Sequence, residues 1–149
     1  MIRIAVGAVV QCGDRYLLVN KKKINDTQNG EGIEIDEWDI PKGGVKEQDQ
    51  SLEEAVLREL HEETGSSSFE LKDKFEEKIV FDFPVELKSI IGFDKQETTM
   101  FFAEYVGDGG DLSPIDEEIG EIKFVTEEEF VEIVHHCETV EFLKKNVWN

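Results

Sequence analysis

The chain has 149 residues, 39% of them apolar, and sets 16 basic against 35 acidic side chains for a formal net charge of −19. That length suits one domain with a real core, and the charge, unrelieved by any basic stripe, repels nucleic-acid backbone and excludes duplex binding by electrostatics. No apolar run approaches the roughly 18 residues of a membrane span, and the N-terminus lacks the compact apolar stretch of a secretory signal, so a cytoplasmic protein with no membrane partner is expected, as monomer or homodimer.

In chain order, "IRIAVGAVVQ" (2–11) is rich in β-branched residues and partly alternates, which predicts a strand. "CGD" is a turn, and "RYLLVNK" (15–21) is the returning strand. Cys12 and the distant Cys137 form no CxxC pair; each is expected to be a small buried hydrophobe in a reducing compartment. Residues 21–36, "KKKINDTQNGEGIEID", are polar and rich in Asn, Asp and Gly, and predict a long surface loop. "EWDIP" (37–41) is a short strand stopped by Pro41, and "KGGVKEQDQ" (42–50) a loop.

The best-marked element is the helix that follows. Ser51 is its N-cap, and Glu54 three residues on completes a capping box. Leu52, Ala55, Val56 and Leu60 form one apolar face, and Gly65 supplies the left-handed stop. Strand patterns recur in 66–87 and in "ETTMFFAEYVG" (97–107), with "GDGGDLSP" (107–114) a turn-rich break and "IKFV" (122–125) a short strand. Thr126 and Glu129 make a second capping box, after which Phe130, Ile133, Val134 and Cys137 predict one C-terminal amphipathic helix. This order of elements suggests a mixed sheet with helices on its faces.

The end of the first helix is unusual. "RELHEETG" (58–65) puts Glu59, Glu62 and Glu63 in the last turn, where the helix dipole favours Lys, Arg or His. Their spacing sets three carboxylates on one side, each like-charge pair costing a few tenths of a kcal/mol on a free surface. A solvated acidic face is the ordinary meaning of such a run. A bound divalent cation would turn the repulsion into ligation, because Mg²⁺ and Mn²⁺ take hard oxygen ligands.

The surrounding residues decide between these meanings. "PKGG" lies upstream, and Gly44, Arg58, Glu59, Leu60, Glu62, Glu63 and Gly65 fall at the fixed positions of a pattern that resembles the Nudix box, G-x5-E-x7-R-E-U-x-E-E-x-G-U with U apolar. The box spans 44–66. Two positions depart: the first family Glu is Gln50, and the last apolar position is Ser66, expected to matter only for packing. The resemblance implies one α+β domain over 1–149, a mixed sheet in an α/β/α sandwich, that hydrolyses a pyrophosphate linkage in a nucleoside diphosphate derivative with Mg²⁺ or Mn²⁺ as cofactor.

Carried over by position, Glu59, Glu62 and Glu63 are metal ligands, Gly44 offers its carbonyl to the metal, and Arg58 pairs with one of the carboxylates and orients it. Arg58, Glu62 and Glu118 form the catalytic set. Glu118, six residues before Phe124, matches the later acid of the family and would serve as ligand or general base, with Glu117 and Glu97 as fallbacks. Gln50 in place of Glu implies lower activity, modestly raised by Gln50→Glu.

"EWDIPKGG" is similar to the W-x-x-P-K-G segment of diadenosine tetraphosphate hydrolases. It implies a small nucleotide substrate, a dinucleoside polyphosphate such as diadenosine tetraphosphate, with Trp38, Lys42 and Tyr105 as substrate-binding residues and Phe81 or Phe83 as further stacking surfaces. Two alternatives stand beside it: a hydrolase of triphosphorylated RNA 5′ ends, and a degenerate Nudix module that binds nucleotide without turnover. Lys21, Lys22 and Lys23 are read as the soluble end of a loop, although they could meet outer phosphates. His61 is expected to face solvent, and the adjacent His135 and His136 make a poor metal pair, since a helix turns neighbours about 100° apart.

Overall fold

A computed structural model describes residues 1–24 and 30–148. Strands β1 (Ile2–Cys12) and β2 (Arg15–Ile24) form the first hairpin, followed by β3 (Ile33–Asp39) and the short β4 (Lys42–Gly44). Helix α1 (Leu52–Thr64) leads into the long β5 (Phe69–Asp82), helix α2 (Val85–Ile91), β6 (Lys95–Tyr105) and β7 (Ile119–Val125). Helices α3 (Glu127–Ile133) and α4 (Cys137–Asn146) close the chain.

The sheet runs β3-β2-β1-β6-β5, with β4 added to β1 and β7 to β2. β1 and β6 pair in parallel from Ile2 opposite Lys95 to Gln11 opposite Glu104. β1 and β2 pair only beside their turn, at Gln11–Tyr16 and Cys12–Arg15. Beyond that point the two strands part. β4 takes the vacated edge of β1 at Ala5–Gly7, and β7 and β3 take the two edges of β2.

The sheet is covered on both faces, so β1 is buried continuously from Ala5 to Val10. Alternation divides it: Val6, Ala8 and Val10 pack with Leu17, Ala55, Val56, Leu60 and Phe101 under α1. Val9, Leu18 and Met100 pack with Phe130, Val134, Phe142 and Leu143 under α3 and α4. The architecture is the expected α+β, α/β/α sandwich.

Five local expectations are corrected. The polar run 21–36 is not all loop: β2 continues to Ile24 and β3 begins at Ile33, in a register that sets Lys21 opposite Glu37 and Lys23 opposite Glu34. Polar residues conceal a strand whose partners are also polar. Residues 25–29 of that run lie outside the described residues. Lys42–Gly44, expected as loop, forms β4.

The strand pattern of 66–87 ends at Asp82, and Val85–Leu87 begin α2 because the Pro84 carbonyl accepts from Leu87 and Lys88 N–H at 2.8 and 3.1 Å. The single C-terminal helix is two, broken where Val134 becomes extended (φ −79, ψ 121). The break redirects Thr139, Val140, Phe142 and Leu143 into the core. Cys12 and Cys137, expected to be buried, are both exposed, one closing the hairpin and one in the first turn of α4.

Both capping signals hold in part or whole. Thr126 Oγ accepts from Glu129 N and the Glu129 carboxylate accepts from Thr126 N, a complete box. Ser51 Oγ accepts from Glu54 N at 3.0 Å, but Glu54 reaches back to Gln50 N rather than to Ser51 N.

Candidate active site

The acidic last turn of α1 is made tolerable first through its backbone. Helix C-termini leave carbonyls without intrahelical partners. Here the loop before β7 supplies donors: Ser113 N to Thr64 O at 2.7 Å, and Ile115 N and Asp116 N to Glu62 O at 3.1 and 2.9 Å. Gly65, at φ +76, makes the close approach possible, since a Cβ there would meet Ser113 O at 2.1 Å. Asp111 ties the same loop down by accepting from Ser66 and Ser68 Oγ and from the Tyr105 hydroxyl. Ser66 is therefore more than packing: 1% exposed, it belongs to a polar clip that strands an acidic loop, and Glu118 with it, beside α1.

Arg58 organises one end of the site. Its Nε and Nη2 donate to the two carboxylate oxygens of Asp49 at 2.9 and 2.8 Å. Nη2 also donates to Gly44 O at 3.1 Å, and Nη1 donates to Glu59 Oε1 at 2.9 Å and to Glu62 Oε2 at 3.2 Å. All five N–H donors of the guanidinium are thus used. The hydrogen bonds from Arg58 hold Asp49 down at a pKa of about 2, and those to Asp49 raise Arg58 further above its ordinary value. Arg58 was expected to orient one carboxylate; it holds two in the box and a third outside it. The Gly44 carbonyl, expected to face a metal, spends one lone pair on Arg58.

The other end lies deeper. Glu59 and Glu63 are 7% and 4% exposed. Glu59 lies across Gly43, where a Cβ would sit 2.3 Å from its carboxyl carbon, so a side chain there would displace the carboxylate. Burial pushes both carboxyls above their ordinary values, Glu63 well above, although Arg58 relieves Glu59 and Lys21 relieves Glu63. Among the described residues, Glu63 Oε1 is buried without a hydrogen-bond partner, an arrangement that costs about 1–3 kcal/mol or more for a charged group.

Lys21 is the cation nearest this end. It donates to Lys42 O at 3.4 Å. Burial would depress its pKa, but the charges of Glu63, Asp39, Glu59 and Glu118 together raise it. Lys21 is therefore no loop end. It follows Leu17 and Val19 on the α1 face of β2, so period-two alternation carried one residue further was the signal for it. Glu118 is among the four acids that bear on Lys21, and its carbonyl accepts from Lys22 N at 2.7 Å. Of the fallbacks, Glu117 is exposed on the loop, and Glu97 sits opposite Ile4 in β6.

The structure thus brings together Gly44, Arg58, Glu59, Glu62, Glu63 and Glu118. The residues the sequence reading missed are Asp49, Asp39 and Asp116. Asp39 is buried, yet Lys42 at 2.9 Å, Lys21 and His136 hold its pKa down; Asp116 raises that of Glu63. A carboxylate one place before the box's substituted position was the only available sign of Asp49.

The expected substrate residues are engaged by protein neighbours. Tyr105 is a correction: 5% exposed, it packs between Phe69 and Phe124 with ring centroids at 5.5 and 5.6 Å, leaving no face for a base. Trp38 packs toward the α3 and α4 side, with Lys123 Nζ 4.4 Å from its ring centroid. Lys42 is neutralised by Asp39 and stands 5.5 Å from the Phe81 centroid. Phe81 and Phe83 pack edge to face on each other at 5.2 Å. Gln50 and His61 are exposed, and His136 bonds Glu37 at 2.9 Å.

Among the described residues no three acidic, His or Cys side chains converge as ion ligands; Arg58 draws Glu59 and Glu62 to its own side. The donor set nevertheless fits a hard divalent cation: carboxylate oxygens in excess, one of them buried and without a partner.

A fold of this kind, with three glutamates and an arginine on the last turns of its first helix, belongs to a recognised class: a model of the NUDIX domain matches residues 1–145, and the chain belongs to that family. It is a Nudix pyrophosphohydrolase. Over 115 residues it is 31% identical to an RNA pyrophosphohydrolase of Nitratiruptor sp., covering 76% of this chain and 70% of that one. A MutT protein from Methanosarcina mazei Go1 superposes with a TM-score of 0.72 at 22% identity, over 97% of this chain and 91% of the other. A C. elegans Ap4A hydrolase binary complex does so with a TM-score of 0.68 at 17% identity, over 96% and 93%. At such identities the two structures share the fold.

Proposed function

We propose that this enzyme hydrolyses the pyrophosphate linkage of a 5′-terminal polyphosphate, with triphosphorylated RNA ends as its first substrate and dinucleoside polyphosphates as its second. The carrying observation is that sequence similarity across most of the chain runs to a protein named RNA pyrophosphohydrolase, whereas the similarity to an Ap4A hydrolase is one of fold. The engagement of Trp38 by Lys123 and of Lys42 by Asp39 weakens the motif that favoured dinucleoside polyphosphates. A charge of −19 opposes duplexes but accommodates a short single-stranded end.

Glu59, Glu62, Glu63 and Glu118 would hold Mg²⁺ or Mn²⁺. Such an ion lowers the pKa of bound water and neutralises charge on the phosphate oxygens. Arg58 sets the direction of Glu59 and Glu62. Lys21 places a positive charge beside the carboxylates, where it can meet a phosphate oxygen. Burial of Glu59 and Glu63 keeps bulk water from screening these interactions.

Incubation with Mg²⁺ or Mn²⁺ and a panel of substrates tests the proposal. Pyrophosphate or phosphate released from 5′-triphosphorylated RNA, faster than ATP from diadenosine tetraphosphate, is the expected result. The reverse order would install the second substrate, and binding without any turnover would contradict both.

A further inference from the structure

The box lacks its first acid, yet its arginine does not lack a carboxylate. Gln50 stands exposed at the family position. One residue earlier, Asp49 has a side chain only 1% exposed and binds Arg58 through both oxygens, at 2.9 and 2.8 Å. We infer that Asp49 is the positioning residue that substitutes for the missing glutamate of the box, fixing Arg58 and through it the direction of Glu59 and Glu62. This rests on reading those glutamates as ion ligands.

The geometry supports it in three ways. A guanidinium gripped at Nε and Nη2 cannot rotate, so the direction of its remaining Nη1 donors is set. Asp49 is itself fixed: Lys46 N donates to Asp49 Oδ2 at 2.8 Å, and Asp49 N to Lys46 O at 3.0 Å, so a closed turn presents it. Charge gives the third reason. Asp49 cancels the charge of Arg58, so the arginine can orient Glu59 and Glu62 without consuming the negative potential that draws a divalent cation.

The five donors of Arg58 are filled, so a carboxylate added at position 50 finds no free donor on Arg58. Gln50→Glu is therefore expected to be silent, contrary to the modest gain that the resemblance to the box implies, whereas Asp49→Asn keeps the shape, loses the charge and turns an amide toward the guanidinium.

Mn²⁺ binding to each purified protein, measured by electron paramagnetic resonance, tests the inference, with circular dichroism and melting as controls for folding. Asp49→Asn is expected to weaken Mn²⁺ binding about tenfold or more, as loss of a ligand's supporting partner does, and to lower kcat with KM little changed. Gln50→Glu is expected to match the wild type in both. Wild-type Mn²⁺ affinity in folded Asp49→Asn would overturn the inference, as would tighter binding in Gln50→Glu. Should Asp49→Asn not fold, Gln50→Glu alone decides by the same criterion. Wild-type protein that takes up no Mn²⁺ would instead remove the ion site itself.

Discussion

The two ends of the acidic face of α1 are built on opposite terms. Around Arg58 every guanidinium donor is matched to an oxygen, and the partners Asp49 and Glu59 are largely buried. Around Glu63 the balance is left open: a carboxyl pushed well up by burial, one oxygen without a partner among the described residues, and an ammonium, Lys21, on which four acids bear. A satisfied network rigidifies, and a partly satisfied one stores free energy that a ligand can recover. On the proposed function, the first end would aim the carboxylates, and the second would hold the excess of negative charge that a cation balances.

Substitutions at the two ends separate aiming from filling. The largest effect is expected at Glu63: Glu63→Gln should lower turnover by about 10²-fold or more, the scale of losing one group that stabilises transition-state charge, while its melting temperature without metal stays level or rises, because burial disfavours the carboxylate that the amide replaces. Turnover near wild type would erase the distinction between the ends. Next comes Glu118→Gln, expected to cut turnover at least about tenfold in a protein that stays folded; an unaltered rate would return Glu118 to the status of a loop acid. The smallest effect, and the most specific, belongs to Lys21→Met. Without metal its melting temperature should fall, since the acids lose their shared cation, and the gap to wild type should close as Mg²⁺ saturates. An equal gap with and without Mg²⁺ would make Lys21 an ordinary packing residue.

What the sequence disclosed followed the range of the interactions concerned. α1 was legible because its cap, apolar face and glycine stop all lie within fifteen residues of each other. The sandwich was legible from the alternation of elements. The parallel pairing of β1 with β6 was not, because it joins residues more than ninety apart. The site divides similarly. Glu59, Glu62, Glu63 and Arg58 stand in one fixed spacing. Asp49 was missed because only the folded turn at Lys46–Asp49 shows that position 49, rather than 50, reaches Arg58. Lys21 was read as the soluble end of a loop because a polar run looks like one until strand pairing at Lys21–Glu37 is seen. Tyr105 was misassigned because alternation reveals two faces of a strand without saying which one lies under α1.

The buried glutamates are the proposed cation site, and the melting temperature of the wild-type protein titrated with Mg²⁺, beside that of Glu63→Gln, is the test of it. A ligand that binds only the folded state stabilises it in proportion to the logarithm of its concentration above Kd. The wild type should rise steadily with Mg²⁺ and Glu63→Gln should respond weakly. Two flat curves, or two that climb together, would contradict it.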